Sequence, residues 1–239
     1  MADAAPAPAP AAPPAAEAES SAGEAPPTFS TRPPPAAELH YELRRGVLSG
    51  QGLLSWRPAG EHYELQIDGN AFGVPVLVQH SSGGFDRAGL APLRFVDRRR
   101  GRDQRAANFQ RDKGLITWSG TVAETRLLPG AQDRLSWMVQ LAAIVAAQPE
   151  RWVAGERIPM LVVGARGDAD VWTFVVSGHE PVEVAGARVE HTLALRREPR
   201  KPYDTAVQVW LDPQRHHLPV RLRLATAGGN DALELLLKP

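Results

Sequence analysis

From about residue 39 onward, apolar and polar side chains alternate in one short run after another. In the run 62–68 three apolar residues alternate with polar ones, and in the run 220–224 three aliphatic residues alternate with two arginines. A period of two is typical of strands that bury one face and leave the other in water. Such half-buried strands suit antiparallel sheets, so the alternation predicts a mainly β domain.

Short turn sequences separate these runs. Asp112-Lys113-Gly114 stands between two strand-like runs, Ser119-Gly120 follows the second of them, and a Gly-Gly-Asn-Asp sequence at 228–231 precedes the last run, 232–237. Closely spaced turns of this kind indicate hairpins rather than helical crossovers between parallel strands. The predicted sheet is therefore an antiparallel meander.

The segment 133–147 breaks this pattern, because it carries no charge after Arg134. Asp133 suits the N-terminal cap or first turn of a helix, and Pro149 ends the helix. Apolar residues lie nearly all round, which predicts a helix that is buried on most sides. The predicted fold is mainly β: a strongly curved antiparallel meander sheet, an open or partial barrel, packed around one buried α-helix.

The first 38 residues have a different composition, with 10 of the 22 prolines, 14 alanines and a net charge of −4. Such a segment buries too little apolar surface to offset the entropy of ordering it. We predict a disordered Ala/Pro-rich linker over 1–38 and a single antiparallel β domain over 39–239. Two interpretations of the linker stay open: it follows a membrane anchor or signal that was removed or lies upstream, or it is a plain disordered tail.

Cysteine is absent and the formal net charge is zero. The absence of thiols excludes disulfides, thiolate metal sites and a Cys nucleophile. No run of about 18 apolar residues is present, so no transmembrane helix is predicted. No motif for catalysis, metal ions, cofactors or nucleic acid is found, and we expect a protein without cofactor that does not bind nucleic acid.

Several stretches together resemble a known bacterial family. They are Gly89-Leu90-Ala91-Pro92, then Gln132-Asp133-Arg134-Leu135-Ser136, then Val209-Trp210-Leu211-Asp212-Pro213, followed by Leu218-Pro219-Val220-Arg221-Leu222. In this order they resemble the family called "domain of unknown function 3108", over roughly residues 39–238. The resemblance implies an exported cell-envelope protein, periplasmic or tethered to a membrane and facing the periplasm. Members often carry an N-terminal hydrophobic segment before a Pro-rich stretch, and this sequence lacks that segment.

A more distant likeness concerns the turn Asp212-Pro213 and the run 218–221 that follows it. They resemble a hairpin of periplasmic lipoprotein carriers of the curved-sheet type, which hold acyl chains between an incomplete barrel and its helices. The likeness implies a hydrophobic ligand, by analogy of fold alone.

Two sets of residues are candidates for binding. A cavity between helix and sheet would be lined by residues of the helix and by a histidine on the apolar face of the run 189–195: Trp137, Met138, Leu141, Val145 and His191. The region 94–113 holds eight basic and three acidic residues. Its arginines Arg98, Arg99, Arg100 and Arg102 are candidates for contact with an anionic surface, or they belong to a solvated hairpin whose charges prevent aggregation.

These observations predict an uncharacterised, non-enzymatic envelope protein that binds a lipid-like or other hydrophobic ligand. Its expected partner is a lipid or an envelope protein. Two alternatives stay open: a tethered protein-interaction module, and a hydrolase that uses His and Asp. The hydrolase requires at least two of five histidines to converge in a pocket with carboxylates: His80, His179, His191, His216 and His217.

Overall fold

The computed structural model describes residues 25–99, 103–226 and 232–239. Within these ranges the chain forms fifteen β-strands and one α-helix, α1, which spans Trp137–Ala147. Short 3-10 helices span Pro149–Arg151 and Pro213–Arg215. The strands are β1 (Ala37–Arg45), β2 (Leu48–Ala59), β3 (His62–Ala71), β4 (Val74–Asp86), β5 (Gly89–Arg99), β6 (Asp103–Gln110), β7 (Leu115–Trp118), β8 (Glu124–Arg126), β9 (Gln132–Asp133), β10 (Arg157–Val163), β11 (Ala169–Val184), β12 (Ala187–Arg197), β13 (Thr205–Asp212), β14 (Leu218–Thr226) and β15 (Ala232–Leu237).

All of these strands belong to one sheet, in which nearly every strand pairs antiparallel with the next strand along the chain. β1 pairs with β15 as well as with β2, so the first and last strands lie side by side. β8 and β9 are the two edge strands of the sheet, and β9 pairs parallel to β10. The predicted antiparallel meander around one helix is confirmed.

The sheet curves until its two edges approach each other around α1, but no backbone ladder joins these edges. β9 packs against β5, where Gln132 Nε2 donates a hydrogen bond to the carbonyl of Leu90 at 2.8 Å. Near the opposite edge of the sheet, Trp118 Nε1 of β7 donates a hydrogen bond to the carbonyl of Gly164 at 2.6 Å. Side-chain hydrogen bonds therefore connect the two edges of the sheet, and the sheet does not close into a barrel.

The helix begins four residues later than the sequence predicted. Asp133 belongs to β9, and its Oδ1 accepts hydrogen bonds from the backbone N–H groups of Leu135 and Ser136 at 2.8 and 2.7 Å. These bonds stabilise a turn that precedes the helix, because an aspartate readily accepts from the backbone two residues on. Ten of the eleven residues of α1 are buried. No helix in the described ranges is long and apolar enough to cross a bilayer.

The packed chain starts earlier than the predicted boundary after residue 38. Residues 25–36 form no helix or strand, yet Arg32 donates its backbone N–H to the carbonyl of Ala143 at 2.9 Å and its guanidinium to that of Ala146. Phe29 lies edge-on to Trp152, with ring centroids 5.7 Å apart. We call residues 28–36 the N-terminal strap. The part of the predicted linker before residue 25 lies outside the described residues.

A candidate ligand-binding cleft

A cleft of about 960 Å³ opens at one end of the curved sheet, beside the start of α1. Its apolar lining comes from both halves of the sheet and from the helix: Ile67, Leu77, Phe95, Leu135, Trp137, Met138, Trp172, Leu222, Leu224, Leu233 and Leu235. Its charged lining consists of Arg45, Asp97, Arg98, Arg134, Arg166 and Asp168. A cavity of this volume accommodates a small organic ligand or part of a lipid.

The meander explains why the cleft lies at this end. Consecutive strands of an antiparallel meander run in opposite directions, so β1, β3 and β5 end on the side of the sheet where β2, β4 and β6 begin. The start of β15 lies on the same side, since Leu233 pairs with Arg45 at the end of β1. Alternation along each strand then points every second side chain toward the helix. We call this end the open end.

The structure divides the predicted cavity residues into two groups. Trp137 and Met138, in the first turn of α1, line the cleft. Leu141 and Val145 are also buried, but they lie in the closed core behind the cleft and do not line it. The first turn of the helix therefore faces the cleft, while the remaining turns are enclosed by the sheet.

The predicted inward position of His191 is wrong, because its side chain is exposed. Leu193 and Leu195, which share its alternation, are buried. The register between β11 and β12 shifts between the pairs Glu180–Thr192 and Val182–Val189, so His191 lies at an irregularity of the ladder, while Val182, nearer the hairpin tip, is buried again. Alternation gives the face of a strand only where the ladder is regular, because a bulge interrupts the period of two.

An aromatic wall forms one side of the cleft. The Trp137 ring stacks on Phe174 with centroids 5.0 Å apart and lies 5.9 Å from Trp172. The guanidinium carbons of Arg134 and Arg197 lie 4.5 and 4.6 Å from the Trp172 ring centroid, within the range of cation–π attraction. The buried Trp172 Nε1 has no hydrogen-bond partner among the described residues.

Ion pairs stabilise the walls of the open end. Arg134 donates to Asp168 at 2.7 Å, on the lining of the cleft. Deeper in the wall, Arg197 donates to Asp204 at 2.7 Å, with side chains only 2% and 5% exposed. Burial alone would raise the pKa of the Asp204 carboxyl, but hydrogen bonds from Arg197, Arg200 and Thr205 outweigh burial and lower that pKa to about 2. This carboxylate is therefore charged at neutral pH.

Two other arginines at the mouth differ from these. Arg45 makes no ion pair in the described part of the chain, and the contact of Arg98 there is a 3.5 Å approach to Gln104. The lining carboxylates are matched already, Asp168 by Arg134 and Asp97 by Arg166 at 3.9 Å. The mouth of the cleft therefore carries excess positive charge.

Only part of the predicted anionic-contact set can be placed. Arg98 is exposed and lines the cleft. Arg99 is the last residue of β5, while Arg100 and Arg102 lie outside the described residues. The curvature of the sheet thus brings Arg98 to the same cleft as the helix residues Trp137 and Met138, which the sequence had suggested separately.

A buried polar chain fixes the helix start to the sheet. Tyr63 OH lies 3.0 Å from Ser81 Oγ, which donates to Asp133 Oδ2 at 2.5 Å. Burial raises the pKa of Asp133 to about 6, although the hydrogen bonds from Ser81, Leu135 and Ser136 act in the opposite direction. Burial likewise raises the pKa of Tyr63. Asp133 does not line the cleft, so we assign this chain a positioning role.

The five histidines do not line the cleft. His80 contacts Glu64 on the outer face of the sheet, and His216 and His217 lie in the β13–β14 turn. Burial lowers the pKa of His217, and the neighbouring charges of Arg32, His216 and His179 lower it further. No cluster of three or more His, Asp or Glu residues in the described ranges could hold a metal ion.

Together these features define a β-barrel-like protein with an unclosed antiparallel sheet and a cleft lined by both apolar and charged side chains. The chain belongs to the family described as "Protein of unknown function (DUF3108)", which matches residues 37–236. The resemblance noted in the sequence is therefore confirmed. Among the curated proteins, none matches the chain.

One solved structure supports the fold assignment. It is the crystal structure of a beta-barrel-like protein of domain of unknown function DUF1849 from Brucella abortus, with a TM-score of 0.54 and 15% sequence identity. The match covers 87% of this chain and 98% of the other. At this identity the likeness concerns the fold alone.

Proposed function

We propose that this protein is a non-enzymatic binding protein that holds a lipid-like or other hydrophobic ligand in the cleft. The observation that carries the proposal is the apolar lining of a space of about 960 Å³ beside the first turn of the helix. Apolar surface that faces a cleft is stabilised when a ligand removes it from water. Trp137, Met138, Leu224 and Leu233 would contact the hydrocarbon part of the ligand.

The charged groups of the cleft suit an amphiphile rather than a plain hydrocarbon. Arg134 reaches the cleft between the aromatic wall and Asp168. The unpartnered Nε1 donor of Trp172 lies in the same wall. A ligand with a polar or anionic head and an apolar tail would satisfy both kinds of lining.

The proposed location is the periplasm, either free or tethered to a membrane. Its support is the exported character that the family resemblance implies. Fractionation of bacteria that express the full-length natural gene tests it: recovery with the periplasm or the membranes supports the location, and recovery with the cytoplasm contradicts it.

The binding proposal is tested with a fluorescent fatty acid as the probe. Leu224, half-buried on the cleft lining, is replaced by Trp so that the larger side chain occupies the space. We expect the probe to bind wild type and the affinity of the Leu224→Trp variant to fall about tenfold, since lost burial of one or two methylene groups accounts for that factor.

The matched control is Val189→Trp, which enlarges a half-buried aliphatic residue that does not line the cleft. It should bind like wild type, and circular dichroism should show that both variants fold. Failure of wild type to bind the probe, together with no lipid retained in native mass spectrometry, would contradict the proposal. Equal loss in both variants would place the probe outside the cleft.

A further inference from the structure

Exposed apolar side chains are concentrated at the open end. Six of the nine large exposed ones in the described ranges lie in or beside the β1–β2, β3–β4 and β12–β13 turns at that end: Val47, Leu48, Phe72, Val74, Val76 and Tyr203. Val47 belongs to the β1–β2 turn and Phe72 to the β3–β4 turn, and Gly50, close to the first turn, lies against the backbone of Asn70, close to the second. Val74 and Val76 also line the cleft. The patch is therefore continuous with the mouth.

Two of these residues adopt a backbone conformation that does not favour them. Phe72 and Gly73 form a two-residue turn with φ of 50° and 76°, a combination for which hairpins favour Asn-Gly. Tyr203, in the β12–β13 turn, has φ of 62°. Left-handed backbone is costly for bulky side chains, yet these two are 84% and 85% exposed. Packing within the chain does not account for either aromatic residue.

Charge at the same end complements an anionic surface. Arg45 and Arg98 lie at the mouth without a carboxylate partner in the described part of the chain. Arginine near an anionic lipid surface is attracted to the phosphate groups, and aromatic rings favour the interface between headgroups and acyl chains. Exposed aromatic and aliphatic tips beside unmatched arginines fit such a surface better than they fit water.

We propose that the open end docks on the surface of an anionic lipid bilayer. Phe72, Val47 and Tyr203 enter the interfacial layer, and Arg45 and Arg98 contact phosphate headgroups. Docked in this way, the protein has the mouth of its cleft against the membrane. The proposal concerns the rim of the cleft and holds whether or not the cleft carries a ligand.

The test is co-sedimentation of the purified full chain with two kinds of vesicle. One kind is phosphatidylcholine alone, and the other is an equimolar mixture of phosphatidylcholine and phosphatidylglycerol. We expect wild type to bind the anionic vesicles at least tenfold more strongly, and added salt to weaken that binding through screening. Phe72→Asn should lower binding about tenfold, since an exposed ring no longer enters the interface.

Matched controls separate docking from general effects. Val74→Ser and Val153→Ser remove equally exposed side chains, at 60% and 61%, but Val153 lies at the opposite end of the sheet, before the start of β10. Only Val74→Ser should weaken binding. The double change Arg45→Glu and Arg98→Glu should abolish the preference for anionic vesicles, whereas Arg87→Glu, in the β4–β5 turn at the opposite end, should not.

The phenylalanine change is a safe probe because asparagine is the residue that its turn favours. Equal loss in the variants of both ends would overturn the proposal, as would failure of wild type to bind either vesicle. A concentration-dependent dimer that Phe72→Asn abolishes, in a protein that ignores vesicles, would also overturn it by assigning the patch to a second copy of the chain.

Discussion

The curved sheet differs between its open end and the opposite end, where the last turns of α1 lie. We call the opposite end the closed end. At the closed end, the N-terminal strap lies against the last turns of α1, where Arg32 donates to the carbonyls of Ala143 and Ala146. A positive side chain at a helix C-terminus is favourable because it meets the negative end of the helix dipole. Gln140 also bonds this end of the sheet: its Nε2 donates to the carbonyl of Ala88 in the β4–β5 turn, and its Oε1 accepts from the N–H of Leu90 at the start of β5.

At the open end, ion pairs stabilise walls that are not filled by core side chains. Arg197 and Asp204 are buried within one wall, and Arg134 and Asp168 lie on the lining. One helix therefore has two roles. Its later turns are buried in the core and anchor the sheet, while its first turn borders the cleft.

The open end should lose the most stability when one partner of its buried ion pair is removed. Asp204→Ala leaves the guanidinium of Arg197 buried without its carboxylate, and it should lower the free energy of unfolding by about 3–5 kcal/mol. Urea denaturation measures the loss. Asp170→Ala, at an exposed pair with Lys201, is the control and should cost under about 1 kcal/mol. Similar losses in both would show that the open end does not depend on its buried pair.

A second test concerns the joint between the helix and β4. The pKa of Asp133 is about 6 in the folded protein, against 3.8 as its ordinary value, so between these pH values the folded state binds more protons than the unfolded one. The free energy of unfolding should therefore fall as pH rises from about 4 to 6, by about 3 kcal/mol from this group.

Denaturation at a series of pH values, in wild type and Asp133→Asn, isolates that contribution. The amide keeps an acceptor for the backbone of Leu135 and Ser136 but does not titrate in this range, so the variant should lose the decrease. The same slope in both proteins would contradict a raised pKa. Asp204 does not confuse the result, because with a folded pKa of about 2 its contribution is lost only as pH falls below about 4.

The later turns and the first turn of the helix should differ in how much unfolding free energy is lost when a side chain is truncated to alanine. Leu141→Ala opens a void in the closed core and should cost about 3 kcal/mol, whereas Met138→Ala enlarges a space that already borders the cleft. Without a new enclosed cavity, the second change should cost less by about 1–2 kcal/mol. Thermal or urea unfolding measures both, and equal losses would show that the cleft end is packed as tightly as the closed end.

Local patterns in the sequence were sufficient for the elements and their faces. The alternation in 62–68 correctly gives Tyr63, Leu65 and Ile67 as buried residues of β3. The absence of charge after Arg134 correctly predicted a helix buried nearly all round, although the helix begins only at Trp137. Each pattern reflects which faces of a single strand or helix are buried. Such burial can therefore be predicted from the residues of that one segment.

Contacts between distant segments could not be predicted in the same way. Ser81 and Asp133 are 52 residues apart, and neither residue has a local signal for the other. Arg98 reaches the cleft only because of the curvature of the sheet. The average composition of the first 38 residues also concealed the few side chains, such as Phe29 and Arg32, that pack against the helix. Composition averages over a segment, whereas packing depends on individual residues.

The pairing of β1 with β15 has a consequence for how the chain reaches its native state. On the edge of β1 that does not pair with β2, residues 41–45 pair with residues 233–237, so this ladder closes a loop that spans most of the domain. Loop closure of that length is entropically unfavourable and slows folding. During synthesis, or during transport through a translocation channel, the N-terminus emerges first and β15 emerges last. One edge of β1 therefore stays unpaired until synthesis or transport is complete. Chaperones that shield unpaired strand edges would act on it during that interval.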